Sequence, residues 1–230
     1  MTNYVWIGMA VGVFFAGIGT GYAVFVNYYN PYAMMMGNSQ GSVGTMGEQG
    51  MMSSGPYLSF KTIPTKDAVA ADVILGSAQV FKGNSTIVFN SQNVEFVALS
   101  LGGEEAKNMT GTPLPSYAKD DSFVIGNLID PTLVMKSGSR LNITMINLDE
   151  DMEHNLVITS TAPPYGYMPM RDMMDAGGVI SMIPMLPNES HDSAYEYSYS
   201  VTLSHHGTYW YTCIYPGHAE LGMYGKIIVQ

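Results

Sequence analysis

From residue 61 onward the chain runs in short β-branched stretches cut by polar clusters: 86–89, 94–101, 123–125, 133–135, 141–147, 156–159, 195–203, 208–213 and 226–229. Asn90-Ser-Gln-Asn93, Lys136-Ser-Gly-Ser139 and Ser204-His-His-Gly207 lie between neighbouring stretches, and clusters of this kind form turns. Tyr195-Glu-Tyr-Ser-Tyr-Ser-Val-Thr-Leu203 and Leu141-Asn-Ile-Thr-Met145 alternate with period two, so each strand buries one face. No helical periodicity intervenes, and the spacing predicts an all-β domain, a sandwich or a barrel. The segment 163–187, rich in Pro, Met and Gly, is expected to be a long loop folded over one end.

The N-terminal pattern is different. Residues 5–26 are apolar and uncharged, and a helix of that length, rising about 1.5 Å per residue, crosses the roughly 30 Å hydrocarbon layer. Tyr4 and Trp6 at one end and Tyr28 and Tyr29 at the other suit an interfacial aromatic belt. No Lys or Arg precedes the run, and it exceeds the about 7–15 residues of a secretory signal, so it reads as a retained anchor. Residues 30–56 are rich in Gly, Ser and Met with no apolar period, a tether whose r.m.s. span as a Gly-rich coil is roughly 30 Å. Met34, Met35, Met36, Met51 and Met52 have the soft thioethers that take Cu(I), but no fixed Met-x-Met spacing recurs among them and a tolerant linker is the simpler reading. The resulting organisation is an N-terminal transmembrane helix (1–29), a flexible linker (30–60) and one globular domain (61–230).

Charge sharpens this picture. Residues 1–60 hold Glu48 and no Lys, Arg or Asp. Charged residues are 12% of the chain, against roughly 25% in soluble proteins, a sparseness that fits an acidic medium in which carboxylates are protonated. The formal net charge of -10 excludes a nucleic-acid-binding face. The acceptors Asn84-Ser-Thr, Asn108-Met-Thr, Asn142-Ile-Thr and Asn188-Glu-Ser all follow the anchor. Such triplets are glycosylated only outside the membrane, which puts the domain on the extracytoplasmic side of a single-pass cell-membrane protein.

The single Cys excludes an intramolecular disulfide, multi-cysteine zinc sites and iron–sulfur clusters within one chain. It stands in Gly207-Thr-Tyr-Trp-Tyr-Thr-Cys213-Ile-Tyr-Pro-Gly-His218-Ala-Glu-Leu-Gly-Met223. Alternation puts Cys213 at the end of a strand, and Pro216-Gly217 turns the chain just before His218. A loop this short can bring thiolate, imidazole and thioether to one point, whereas on a helix positions five apart face different ways. Two imidazoles, one thiolate and a weak axial Met make the blue-copper arrangement. The second imidazole is His154, which starts a strand after a polar turn, and the side chain of Asn155 is placed to hydrogen-bond across to the Cys loop, a supporting role. The metal ligands are therefore expected to be His154, Cys213, His218 and Met223.

These residues resemble the cupredoxins, and among them the rusticyanin and sulfocyanin proteins of acidophiles. Cys213-x4-His218-x4-Met223 with Pro216-Gly217-His218-Ala219, the following Gly222-Met223-Tyr224-Gly225-Lys226, and Ala162-Pro-Pro-Tyr165 to Met168-Pro169 are similar to rusticyanin. The His154-Asn155 pair and the anchor are more similar to sulfocyanin, since rusticyanin has Ser after its first ligand His. The resemblance covers roughly residues 120–230. It implies a Greek-key β-sandwich, one type 1 Cu(I)/Cu(II) ion with His154, Cys213 and His218 equatorial and Met223 axial, a high potential in an apolar shell, and an electron carrier rather than an enzyme. Respiratory donor and acceptor proteins, a membrane terminal oxidase among them, are the implied partners.

Two other classes compete. A copper storage or delivery protein is favoured by the Met-rich tether. A mononuclear copper enzyme needs an open coordination position, which Met223 argues against. The acidic run Asp149, Glu150, Asp151, Glu153 is expected to be a solvated turn, and His191, His205 and His206 to be loop residues. No His-x-His pair of the multicopper oxidases is present.

Overall fold

Alternating runs can bury one face only by pairing into sheets that pack on each other, and the computed structural model does this twice. It describes residues 60–72, 74–75 and 78–230. The predicted anchor, and the tether with its methionines up to residue 59, lie outside the described residues. Among the described residues no helix is long and apolar enough to cross a membrane.

The strands are β1 (Lys61–Pro64), β2 (Ile74–Leu75), β3 (Ala78–Phe81), β4 (Thr86–Phe89), β5 (Asn93–Leu101), β6 (Ser122–Ile125), β7 (Leu128–Ile129), β8 (Thr132–Met135), β9 (Ser139–Asn147), β10 (Val157–Thr159), β11 (Val179–Met182), β12 (Ser193–Leu203), β13 (Gly207–Thr212) and β14 (Tyr224–Val229). Among the described residues, three short α-helices accompany them, α1 (Thr65–Ala70), α2 (Gly103–Thr110) and α3 (Pro169–Asp175), with one 3-10 turn at Lys82–Asn84. One sheet has the order β1-β12-β9-β5-β6-β7 with β2 beside β5; the other is β11-β10-β13-β14-β8-β4-β3. The result is an all-β sandwich. Its pairs are mostly antiparallel, but β5 lies parallel to β9, and β8 lies parallel to both β4 and β14, because the chain passes repeatedly from one sheet to the other.

Phe123, Leu141 and Ile143 from the first sheet meet Leu133, Tyr211 and Ile227 from the second in the shared core. The Phe123 and Tyr211 rings pack edge to face at 5.6 Å. Each fully buried side chain of this kind contributes about 1.5–3 kcal/mol. The outer face of the first sheet is also covered: Leu99, Leu101, Val124 and Ile146 pack with Ala68 of α1 and Ala106 of α2. That is why every residue of β6 is buried and its sequence does not alternate.

Each predicted stretch falls on a strand, with ends displaced by at most two residues. Two expectations need correction. Residues 163–187 are not a plain loop, since they contain α3 and β11, and α3 packs Met173 with Val157, Tyr165 and Ala219. Helical turns also occur between strands, as α2 between β5 and β6. Only Gly103 and Ala106 of α2 are buried, so no apolar stripe marked it.

Strand pairing brings two distant segments to one end of the sandwich. Thr212 of β13 pairs with Tyr224 of β14, so residues 213 and 223 leave the sheet side by side. At the other side, β9 ends at Asn147 and β10 begins at Val157, which places the 148–156 connection at the same end.

Candidate metal centre

The loop from Cys213 to Met223 closes on itself through the backbone. The Cys213 N–H donates to the Met223 carbonyl at 3.3 Å, His218 N–H to Tyr215 O at 3.1 Å and Met223 N–H to His218 O at 2.9 Å. Thr212 Oγ1 donates to the Met223 carbonyl at 3.0 Å. Gly222 holds φ +104°, and a Cβ there would lie 2.5 Å from the Tyr117 carbonyl. Only glycine satisfies both the left-handed backbone and this close approach.

His154 is held from several sides. Its backbone forms an isolated bridge with Leu186, N–H to O at 3.2 Å and the reverse at 2.8 Å. Asn155 Oδ1 accepts the Ile214 N–H at 3.1 Å, the predicted link to the Cys loop, and its Nδ2 donates to Ile183 O at 3.2 Å. Asn147, wholly buried, donates through Nδ2 to the carbonyls of Met152, Leu186 and Pro187. Its Oδ1 accepts from Ser100 Oγ and the Asp149 N–H.

Three of the four predicted residues, His154, Cys213 and His218, converge. His154 Nδ1 lies 3.7 Å from Cys213 Sγ and 3.1 Å from His218 Nδ1, and donor atoms of the three residues all lie within 4.8 Å of one another. The Tyr215 N–H donates to the Cys213 sulfur at 3.4 Å. Met223 is wholly buried in the same cluster as Cys213. Bonds of about 2.0 Å to imidazole and about 2.3 Å to thiolate, the lengths seen on a first-row ion, set trigonal donors about 3.5–3.7 Å apart. The observed separations fit a single ion among the three. One thiolate and two imidazoles form a donor set of the softness copper prefers.

Two aspartates join the site. Asp149 Oδ2 lies 3.2 Å from His154 Nε2, on the side of the ring opposite the Cys. Asp121 Oδ2 lies 3.4 Å from His218 Nδ1 and 4.0 Å from His154 Nε2. Asp149 is therefore not the solvated residue expected of its run, because the carboxylate turns inward to the imidazole; Glu150, Asp151 and Glu153 are exposed. Asp149 stands five residues before His154, with its Oδ1 accepting the Asp151 and Met152 N–H groups. That local turn was the available signal. Nothing local marks Asp121. The apolar shell expected around the site is thus partly carboxylate. His191, His205 and His206 are exposed, away from the three donors.

Electrostatics agree with the geometry. Burial alone would raise the Cys213 thiol, but hydrogen bonds and charge from His154 and His218 outweigh it and bring it down to about 6. Burial opposes the charged form of His154, yet Asp149 and Cys213 raise it to about 9. Burial pushes Asp149 up, and His154 with the Asp151 N–H more than offsets it, leaving it below the usual carboxylate range. Asp121 goes the other way, lifted mainly by burial.

Residues 130–230 match the family of copper binding proteins of the plastocyanin/azurin type. Rusticyanin of Acidithiobacillus ferridurans is 32% identical over 145 residues, 63% of this chain and 67% of the relative. A rusticyanin of Acidithiobacillus ferrooxidans is 32% identical over a stretch that covers 81% of its length. The solved structure of rusticyanin from Thiobacillus ferrooxidans superposes with a TM-score of 0.57 at 26% identity, covering 75% of this chain and 97% of that one. The chain belongs to the rusticyanin family of blue copper proteins, and its cofactor is one type 1 copper.

Proposed function

We propose that this blue copper protein is a membrane-tethered carrier of single electrons on the outer face of the cell, working between respiratory complexes with a terminal oxidase as acceptor. His154, Cys213 and His218 would hold the copper, with the Met223 thioether as its fourth donor. The observation that carries this reading is the convergence of Cys213 Sγ, His154 Nδ1 and His218 Nδ1 within bonding reach of one ion. Bound there, copper supplies a couple that gains and loses one electron. The chain's own residues hold the donors in place so that little moves between the two states. Asn155 ties the His154 segment to the Cys loop, the Tyr215 N–H supports the sulfur, and the loop's backbone bonds fix His218 and Met223. His218 is 5% exposed while His154 has no exposure, so the electron path to a partner runs through the His218 edge.

The tether reading rests on the apolar run 5–26, and the outer location on the glycosylation acceptors. Asn84 and Asn108 are exposed. Asn142 sits inside β9 with its Oδ1 accepting from Ser200 Oγ, and the Asn188 amide donates to the Glu150 carbonyl. Native protein purified from membranes is expected to carry glycan mass at Asn84 or Asn108, and to leave solubilised membranes together with an oxidase. Unmodified protein in a soluble fraction overturns the location.

The copper-loaded protein is expected to show an intense thiolate-to-Cu(II) absorption that bleaches reversibly on reduction and disappears in Cys213→Ser. A colourless Cu(I) protein that hands its metal to an acceptor supports storage or delivery instead.

A further inference from the structure

His154 faces in two directions. Nδ1 points to Cys213 Sγ and His218 Nδ1, and Nε2 points to Asp149 Oδ2. A carboxylate that accepts the Nε2 proton leaves the Nδ1 lone pair as the ring's metal-binding atom, and it also makes the ring a stronger donor. Asp149 is itself immobilised: the Asp151 and Met152 N–H groups bond its Oδ1, its own N–H donates to Asn147 Oδ1, and its carbonyl accepts the Glu189 N–H at 2.6 Å. It is 8% exposed. A carboxylate this well supplied with donors is placed to act on the ring rather than on solvent. Asp121, beside both rings, adds a second acidic group on the same side.

We propose that Asp149 is the positioning residue that selects Nδ1 of His154 as the ligand atom, and that its charge, assisted by Asp121, favours the cupric state and lowers the site's reduction potential. This rests on the copper reading of the site. A negative charge held near the metal in a poorly solvated site interacts more strongly with Cu(II) than with Cu(I), because the attraction scales with the ion's charge and is weakly screened.

The test uses the full chain loaded with copper, with Asp149→Asn, Asp149→Ala and Asp121→Asn compared with the parent by absorption, redox titration and chelator competition for Cu(I) and Cu(II). Asn keeps an acceptor for Nε2–H and removes the charge. Asp149→Asn is expected to retain the blue band, raise the potential and lose Cu(II) affinity relative to Cu(I) by about tenfold, within the range outer-shell partners command. Asp149→Ala is expected to lose about 10–100-fold in Cu(II) affinity, and Asp121→Asn to shift the potential upward by less. A purely structural role would weaken both oxidation states equally and leave the potential where it was; that result overturns the proposal. If Asp149→Ala does not fold, the two Asn variants decide. Absence of the blue band from the parent would instead defeat the copper reading itself.

Discussion

The two segments that meet at the metal centre are built in opposite ways. The loop 213–223 is mostly self-contained: it leaves and re-enters adjacent strands of one hairpin, and most of its bonds run among its own residues, with outside ties from Ile214 to Asn155, Gly217 to Tyr167 and Leu221 to Lys119. The segment 147–155 is held from outside, by Leu186, Pro187, Ile183 and Ile214 reached through the side chains of Asn147 and Asn155 and the backbone of His154. One half of the site is thus fixed mainly by local chain geometry and the other mainly by the tertiary fold. Damage to the second half should therefore propagate into global stability, whereas damage to the first should stay near the metal.

The sharpest break of this contrast is Asn147→Ala. It removes the Asn147 partner of the part-buried Met152 and Pro187 carbonyls, the Ser100 hydroxyl and the Asp149 N–H at once, while the Leu186 carbonyl keeps the His154 N–H. Unpaired buried groups cost about 1–3 kcal/mol each before relaxation or water entry, so a net loss of about 3 kcal/mol is expected in denaturant unfolding, with copper affinity falling in parallel. Gly222→Ala tests the other half. Its φ of +104° and the 2.5 Å approach to the Tyr117 carbonyl predict a cost of about 1–3 kcal/mol, with an altered copper spectrum as the main symptom. If the Gly222 variant proves the more damaging to global unfolding, the proposed division between the halves is wrong.

The same contrast explains what could be read from the amino-acid order. Cys213, His218 and Met223 were legible because ligands on one short loop carry their geometry in their spacing. Asn155 was legible because it adjoins a ligand. Asp121 was not, since it reaches the rings only after β5 and β6 pair antiparallel, Leu101 opposite Ser122. Asp149 was misassigned because an acidic run looks solvated until the fold turns one member inward. The central strands were plain from their alternation, while β1 and β3 are mostly exposed, and edge strands without a buried face leave no such pattern. The helices covering the first sheet bury little beyond Ala68 in α1 and Gly103 and Ala106 in α2, too few positions to set a helical period.

The smallest effect concerns the floor beneath the loop, and it separates two buried carboxyls. Asp149 has an imidazole and two N–H donors, whereas Asp130 has the Phe123 N–H at 2.9 Å on Oδ1 and no hydrogen-bond partner on Oδ2. Asp130 adjoins Pro131, whose carbonyl accepts the Tyr211 hydroxyl at 2.7 Å, so it lies under the strand that delivers Cys213. Burial pushes its carboxyl well above the ordinary value. A folded value above the unfolded one means that the native state prefers the neutral acid: its contribution is complete below about pH 4, the unfolded value, and is lost as pH rises toward the folded value. The share of stability that Asp130 contributes is therefore expected to fall as pH is raised out of the acid range, opposite in sign to that of Asp149. Asp130→Asn, which cannot ionise, should flatten that part of the profile in thermal unfolding measured across pH. An unchanged slope would mean that Asp130 is ionised in the native protein, its charge balanced by a partner or water beyond the Phe123 N–H.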